Sequence, residues 1–352
     1  MSEQHEHDRK DGFVPSYILE KLAERGNETA KETLIVTERI KKEDLKKNEV
    51  ESIIAGAVGQ SKRLNYDSET TEEMQRKLVR NEGDGPVQDQ SVNNAYDFCG
   101  KTLEYYRNKL GLNSIDGRGM NVISNVHFGK NMLNAFWGQD QLSFGDGNGR
   151  DFKNFTNGID VVAHECSHAV TQFMNELIYE RQSGALNEHF SDVMGSAVKQ
   201  YVKGQTAQTA DWLIGDEIVG PEWPGIALRS MKAPGTASEL DDQPAHMNDY
   251  RELPLSQDNG GVHKYSGIPN KVFFLTAQAI GTDPAALLWF TAWHNREIIH
   301  PRATFVEAFR AIDLAAEQLV QQGKLPREAV EAVRNACREV GIQILSPVGH
   351  ER

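Results

Sequence analysis

The segment His164-Glu165-Cys166-Ser167-His168 lies inside the apolar run Val161-Val162-Ala163…Ala169-Val170. Histidines four apart on a helix stand one turn above each other on the same face, so both imidazoles reach one tetrahedral zinc. Glu165 lies beside that metal, where a carboxylate can take a proton from a zinc-bound water. A catalytic zinc needs a third protein ligand and an open position. Gly184-Ala185-Leu186-Asn187-Glu188-His189-Phe190-Ser191-Asp192 offers one. Glu188 and Asp192, also four apart, project to one side of a second helix. Glu188 can be the third ligand, and Asp192 can accept the free ring N–H of a ligand histidine and fix its tautomer. Cys166 points away from the histidine face and reads as a small packed apolar residue.

These groups need elements to carry them. Val92, Tyr96, Cys99, Leu103, Tyr106 and Leu110 suit a helix closed by Gly111. Met120 to Phe128 reads as a strand, and residues 134–144 as one or two more, ending in the turn Gly145-Asp146-Gly147-Asn148-Gly149. The metal-motif helix spans roughly 158–175. Further helices are expected at 187–203, 268–280, 284–297, 304–322 and 327–340, with Gly281, Gly323 and Gly341 just past three ends. Strands first and helices afterwards predict an α+β fold: a β-rich N-terminal half, an α-helical C-terminal half, and a zinc cleft between them.

The chain has 352 residues, enough for two domains, with 51 acidic against 38 basic residues and a formal net charge of −13. That balance, without a dense basic run, argues against a nucleic-acid or anionic-membrane surface. Three unclustered cysteines, Cys99, Cys166 and Cys337, give neither a disulfide framework nor a metal knuckle. The polar start Met-Ser-Glu-Gln-His-Glu-His predicts no Sec leader, and no run suits a membrane span. The expectation is a monomer, cytoplasmic or exported by a leaderless route. Residues 1 to about 55 are rich in Lys and Glu, with one apolar stretch, Phe13-Val14-Pro15-Ser16-Tyr17-Ile18-Leu19. Composition alone favours a flexible tail there, His5 and His7 included.

Taken together, the motifs resemble those of the thermolysin-like zinc metalloproteases. In that family the third ligand is a Glu in an N-E-x-x-S-D context, 20 residues past the second His. Glu188 stands 20 past His168, and Asn187, Ser191 and Asp192 complete the pattern. The resemblance covers about residues 90–345. The short leaderless N-terminal segment with its proline-containing apolar patch is most similar to the protealysin type, which implies a propeptide over 1–55 (boundary 45–60). Catalytic parts would follow at 56–178 and 179–352. The resemblance further implies that Asn134 and Ala135 hold the substrate main chain by strand addition, that Tyr179 and His263 donate to the developing oxyanion, and that Asp258 orients His263. It places Arg229 on the carbonyl of the residue after the cut and Leu228 at the wall of an apolar pocket. The implied activity is hydrolysis of internal peptide bonds in peptides and proteins before bulky apolar residues, with Glu165 as general base and one zinc. The protein's own propeptide acts as an intramolecular inhibitor.

Two departures stand out. The family's paired calcium site expects a Glu where this chain has Lys199, and the position two past Asp211 is Leu213, while Asp160, Asp211, Asp216 and Glu217 remain. A cation among those carboxylates disfavours a dication, so the double calcium site is expected to be lost, with Lys199 as an ion-pair substitute. The related precursors carry a Pro-Pro-hydrophobic patch, whereas this chain has Pro15-Ser16-Tyr17, and residues 13–19 are expected to occupy the cleft. His127, His189 and His246 match no ligand position and are read as structural or surface residues. Two other readings stay open: a zinc aminopeptidase, disfavoured by the absence of a Gly-x-Met-Glu-Asn motif, and an inactive peptide-binding or inhibitory homologue.

Overall fold

A run of β-branched and apolar residues, Val122–Val126, forms β3, buried at all five positions because elements cover both faces of the sheet. It pairs in parallel with β1 (Arg63–Asp67) on one side and with β5 (Gln141–Phe144) on the other. β2 (Lys77–Asn81) and β4 (Ala135–Gly138) add antiparallel at the two edges, giving the order β2-β1-β3-β5-β4. The computed structural model describes residues 12–44 and 61–344. The proposed processing boundary at 45–60, and His5 and His7, lie outside the described residues.

Behind the sheet runs α3 (Gln90–Tyr105), whose N-cap Asp89 accepts from the Ser91 N–H at 2.8 Å. It ends through a π turn, Tyr106–Leu110, at left-handed Gly111. α4 (Ile159–Met174) is buried from Ile159 through Thr171, its polar residues Asp160, His164, Glu165, Ser167 and His168 included. α5 (Arg181–Lys203) packs along it and is buried from Ser183 to Gln200. A two-stranded ribbon, β6 (Leu213–Ile214) with β7 (Arg229–Ser230), flanks this pair. Further helices among the described residues are α6 (Asp258–Tyr265), α7 (Gly267–Ile280), α8 (Thr282–Trp293), α9 (Phe305–Gln321) and α10 (Glu328–Val340). The α+β arrangement expected from the sequence is therefore the observed one, with helical bounds shifted by a few residues. α5 begins at Arg181 rather than 187, and α8 stops at Trp293 rather than 297.

The tail expectation is corrected for residues 12–44. They form α1 (Ser16–Glu24) and α2 (Glu28–Asp44), packed against the rest of the chain. Phe13, Val14, Ile18, Leu19 and Leu22 are buried in the main core, and Ile40 joins Phe128, Met132 and Phe136 in a smaller cluster. Burying a large apolar side chain stabilises by about 1.5–3 kcal/mol, which outweighs the polar character of the intervening residues. Asn27 Nδ2 donates to Asp151 at 2.7 Å, and Thr33 Oγ1 accepts from the Leu133 N–H at 3.1 Å. The three cysteines are free and buried, and the burial of Cys166 suits a small packed residue.

Candidate metal centre and substrate cleft

Helices α4 and α5 bring His164, His168 and Glu188 together, all three buried, with one ligand atom of each within 4.8 Å of the others. The imidazoles are oriented from behind. His164 Nδ1–H donates to Asp192 Oδ1 at 2.9 Å, and His168 Nδ1–H donates to Asn187 Oδ1 at 2.8 Å. A carboxylate or amide oxygen only accepts, so each ring turns its Nε2 lone pair inward. The two Nε2 atoms lie 3.0 Å apart, and each is 3.4 Å from a Glu188 oxygen. Glu188 Oε2 is buried and receives no hydrogen bond among the described residues. Converging lone pairs and a carboxylate, all enclosed, ask for a cation. Two imidazoles and one carboxylate fit zinc with a fourth position left open.

Asp192 is enclosed by donors. Arg229 grips it with Nε on Oδ2 at 2.8 Å and Nη2 on Oδ1 at 2.7 Å, a two-point pairing. Burial pushes this carboxyl up, but the Arg229 guanidinium and His164 overcome that and hold it well below the usual range. Glu165, one residue past His164, is fully buried on the same helix.

Across the cleft, α6 opens with Asp258, Asn259, Gly260 and Gly261 all at positive φ, between 47° and 89°. That left-handed turn, which the sequence showed only as Asn-Gly-Gly, folds Asp258 back onto the helix it starts. Its Oδ2 accepts from the His263 N–H at 2.9 Å and its Oδ1 from His263 Nδ1–H at 2.6 Å. A Cβ at Gly261 would meet the Tyr265 ring at 2.6 Å, so both the conformation and the space call for glycine. His263 Nε2 lies 3.2 Å from the Tyr179 hydroxyl, which itself donates to Glu188 Oε1.

The cleft holds a stretch of the chain itself. The Phe13 N–H donates to the Ala135 carbonyl at 2.9 Å. The Val14 N–H donates to Asn134 Oδ1 at 2.8 Å, and Asn134 Nδ2 returns a bond to the Val14 carbonyl at 3.2 Å. Arg229 Nη1 donates to the Phe13 carbonyl at 3.1 Å, and His263 Nε2 to the Gly12 carbonyl at 3.0 Å. The Phe13 ring stands edge-on to His164 with centroids 5.0 Å apart, and the Arg229 guanidinium lies 4.7 Å from its centre. Gly215 closes the pocket: a Cβ there would press on Phe13 at 3.1 Å and on Leu228 at 3.2 Å. Gly12, Phe13 and Val14 thus meet Asn134, Ala135, Arg229 and His263 together. The sequence signalled this contact only through the short apolar patch.

Beside Asp160, which stands one helical turn before His164, Lys199 replaces the expected acid. Its buried ammonium donates to Asp216 and to the Leu213 carbonyl at 3.0 Å, and lies 3.5 Å from Asp160 and 3.7 Å from Asp211. Glu217 is not drawn in and pairs with Lys203 at 2.9 Å. Of the histidines set aside, His127 bridges Asp89 and Asp146 at 2.7 Å each, and His189 is buried among aromatic rings. His246 caps a short turn at Met247–Asp249.

The comparisons with known proteins agree with this geometry. The model of the thermolysin metallopeptidase catalytic domain matches residues 25–172, and that of the thermolysin metallopeptidase alpha-helical domain matches 175–342. Protease PrtS of Photorhabdus sp. (strain Az29) is 35% identical over 351 residues, covering 95% of this chain and 92% of that protein. An extracellular metalloprotease of Pectobacterium carotovorum subsp. carotovorum is 38% identical over 328 residues, covering 88% and 93%. The solved structure of the precursor of protealysin, a metalloproteinase from Serratia proteamaculans, has a TM-score of 0.82 at 37% identity, covering 95% of this chain and 100% of that one. The chain therefore belongs to the thermolysin family and is a thermolysin-like zinc metalloendopeptidase.

Proposed function

We propose that this endopeptidase is made as a latent precursor and cuts before bulky apolar residues, with residues 12–14 occupying the cleft as a substrate would until they are removed. The observation that carries this reading is the seating of Gly12, Phe13 and Val14 on the edge strand, with Phe13 filling the pocket beside His164. In that register the Gly12–Phe13 bond stands where a scissile bond would, and Phe13 reports the side chain favoured after the cut. Similarity to a protealysin precursor supports latency, and similarity to an extracellular metalloprotease supports action outside the cell.

His164, His168 and Glu188 would hold the zinc, which when bound supplies Lewis acidity that polarises a carbonyl and acidifies water. Glu165 takes a proton from the attacking water and passes it to the leaving nitrogen. His263 Nε2 and the Tyr179 hydroxyl donate to the carbonyl oxygen as it gains charge, and Asp258 keeps the imidazole aimed. Arg229 and Asn134 hold the backbone on the far side of the bond, so the reacting atoms meet in register. The Lys199 ammonium takes the place of the family's double calcium site. Burial alone would lower its pKa, but Asp160 and Asp216 more than offset this and hold it above its ordinary value.

Initial rates on a blocked peptide test the latency. The intact zinc-loaded chain with Phe13→Ala should start at least tenfold faster than the unaltered chain, since every 1.4 kcal/mol lost from the cleft contact is a factor of ten. Equal initial rates would refute occupation of the cleft by this segment.

A further inference from the structure

The hydrogen bonds behind His164 do not end at Asp192. Its Oδ2 also accepts from Asn270 Nδ2 on α7 at 2.8 Å. Asn270 Oδ1 accepts from His189 Nδ1–H at 2.7 Å, and His189 Nε2 accepts from the Trp289 indole N–H on α8 at 2.7 Å. Asp192, Asn270, His189 and Trp289 are each 0% exposed. The direction of every link follows from one end. An indole N–H only donates, so His189 must present its Nε2 lone pair to Trp289 and carry its proton on Nδ1. Asn270 must then turn its oxygen to His189 and its amide to Asp192. Arg229 cannot do this work alone, because the guanidinium that grips Asp192 also donates to the Phe13 carbonyl in the cleft. Asn270 makes the bond to Asp192 that no cleft occupant shares.

We propose that Asn270, His189 and Trp289 are positioning residues for the metal centre: a directed relay that holds the Asp192 carboxylate, and through it the His164 ring, in the orientation that aims Nε2 at the ligand set. The relay ties the metal-bearing pair α4 and α5 to α7 and α8, so the second layer of helices sets the metal centre as well as packing behind it.

A matched control sits next to Trp289. Trp293 is also 0% exposed, stacks on Phe190 at 4.6 Å and lies 6.3 Å from the His189 ring, but its indole N–H has no hydrogen-bond partner among the described residues. Trp→Phe at either position removes the same atoms from the same aromatic wall, and only at 289 is the relay cut. Zinc affinity is read on full-length metal-free protein by competition with a chromophoric chelator, and the cobalt-substituted absorption band reports ligand geometry. Groups behind metal ligands commonly govern affinity by 10- to 100-fold, and with Trp289 three links beyond Asp192 the expected loss for Trp289→Phe is about threefold to tenfold, with a shifted cobalt band. Trp293→Phe should leave both unchanged. His189→Gln keeps a donor and an acceptor in line and should hold affinity within about twofold, whereas His189→Leu should lose as much as Trp289→Phe. This second pair decides the matter should Trp289→Phe fail to fold. Equal zinc affinity in the two tryptophan variants, or in the two His189 variants, would overturn the relay. Failure of the unaltered protein to bind zinc would instead overturn the assignment of the metal centre on which the relay rests.

Discussion

Helices α4 and α5 contribute to two clusters that each demand a cation, one fully buried and one reaching the surface at Asp211, and the clusters obtain it differently. At His164, His168 and Glu188 every inward-facing atom is an acceptor, so the cation must come from outside. A turn away, at Asp160, Asp211 and Asp216, the chain reaches in with Lys199. An ammonium is a fixed charge with three donors and no open position, so it can neutralise carboxylates but cannot activate a bound substrate. The first cluster is therefore suited to chemistry and the second to holding the fold. A third group, on the sheet side, lies between these cases. His127 at the end of β3 bridges Asp89 and Asp146 and supplies a cation only while protonated.

The largest effect expected at the first cluster is on rate. Glu165→Gln should lower peptide hydrolysis by about 10³-fold while zinc content, measured by elemental analysis, stays at the unaltered level. Near-normal hydrolysis would remove the catalytic half of the contrast. At the second cluster the effect falls on stability. Lys199→Met strands buried Asp160 without its counter-charge and should cost about 3–5 kcal/mol in denaturant unfolding. Lys199→Glu, by contrast, should recover stability in millimolar calcium, which leaves the unaltered protein unmoved. Calcium stabilisation of the unaltered chain would show that Lys199 has not replaced the ion.

The smallest effect belongs to His127. The hydrogen bond to Asp146, aided by Asp89 against the opposing pull of burial, raises its pKa to about 9. A pKa raised on folding stabilises the folded state fully below the ordinary value near 6.5 and ceases to do so as the pH climbs through about 9. His127→Gln should therefore cost about 2 kcal/mol at pH 6, allowing for partial solvent screening, and almost nothing at pH 10. An equal cost at both pH values would mean that packing, not charge, holds this bridge.

What could be read in the sequence follows the length scale of each feature. His164, His168, Glu188 and Asp192 were legible because helical periodicity turns a spacing of four into a shared face. The α-helical half was legible for the same reason, down to the glycines that end α7 and α10. β1 and β2 were not anticipated, since Arg63-Leu64-Asn65-Tyr66-Asp67 is short and mostly polar. The α1–α2 hairpin looked like a tail because its partners lie far along the chain: Phe13 meets Ala135 and Arg229, and Ile18 and Leu22 join the common core. Asn270, His189 and Trp289 carry no local pattern, being separated by 81 and 100 residues from their partners. Only the packing of α5 against α7 and α8 brings them into line.

The central claim is that His164, His168 and Glu188 hold the zinc on which hydrolysis depends. Its most direct test is hydrolysis of a blocked peptide with an internal phenylalanine by the processed protein, followed through chelation and zinc re-addition, alongside His168→Ala. The account predicts one zinc per chain, activity that disappears with the metal and returns with it, and neither zinc nor activity in His168→Ala. Undiminished hydrolysis by the metal-free protein, or by His168→Ala, would contradict it.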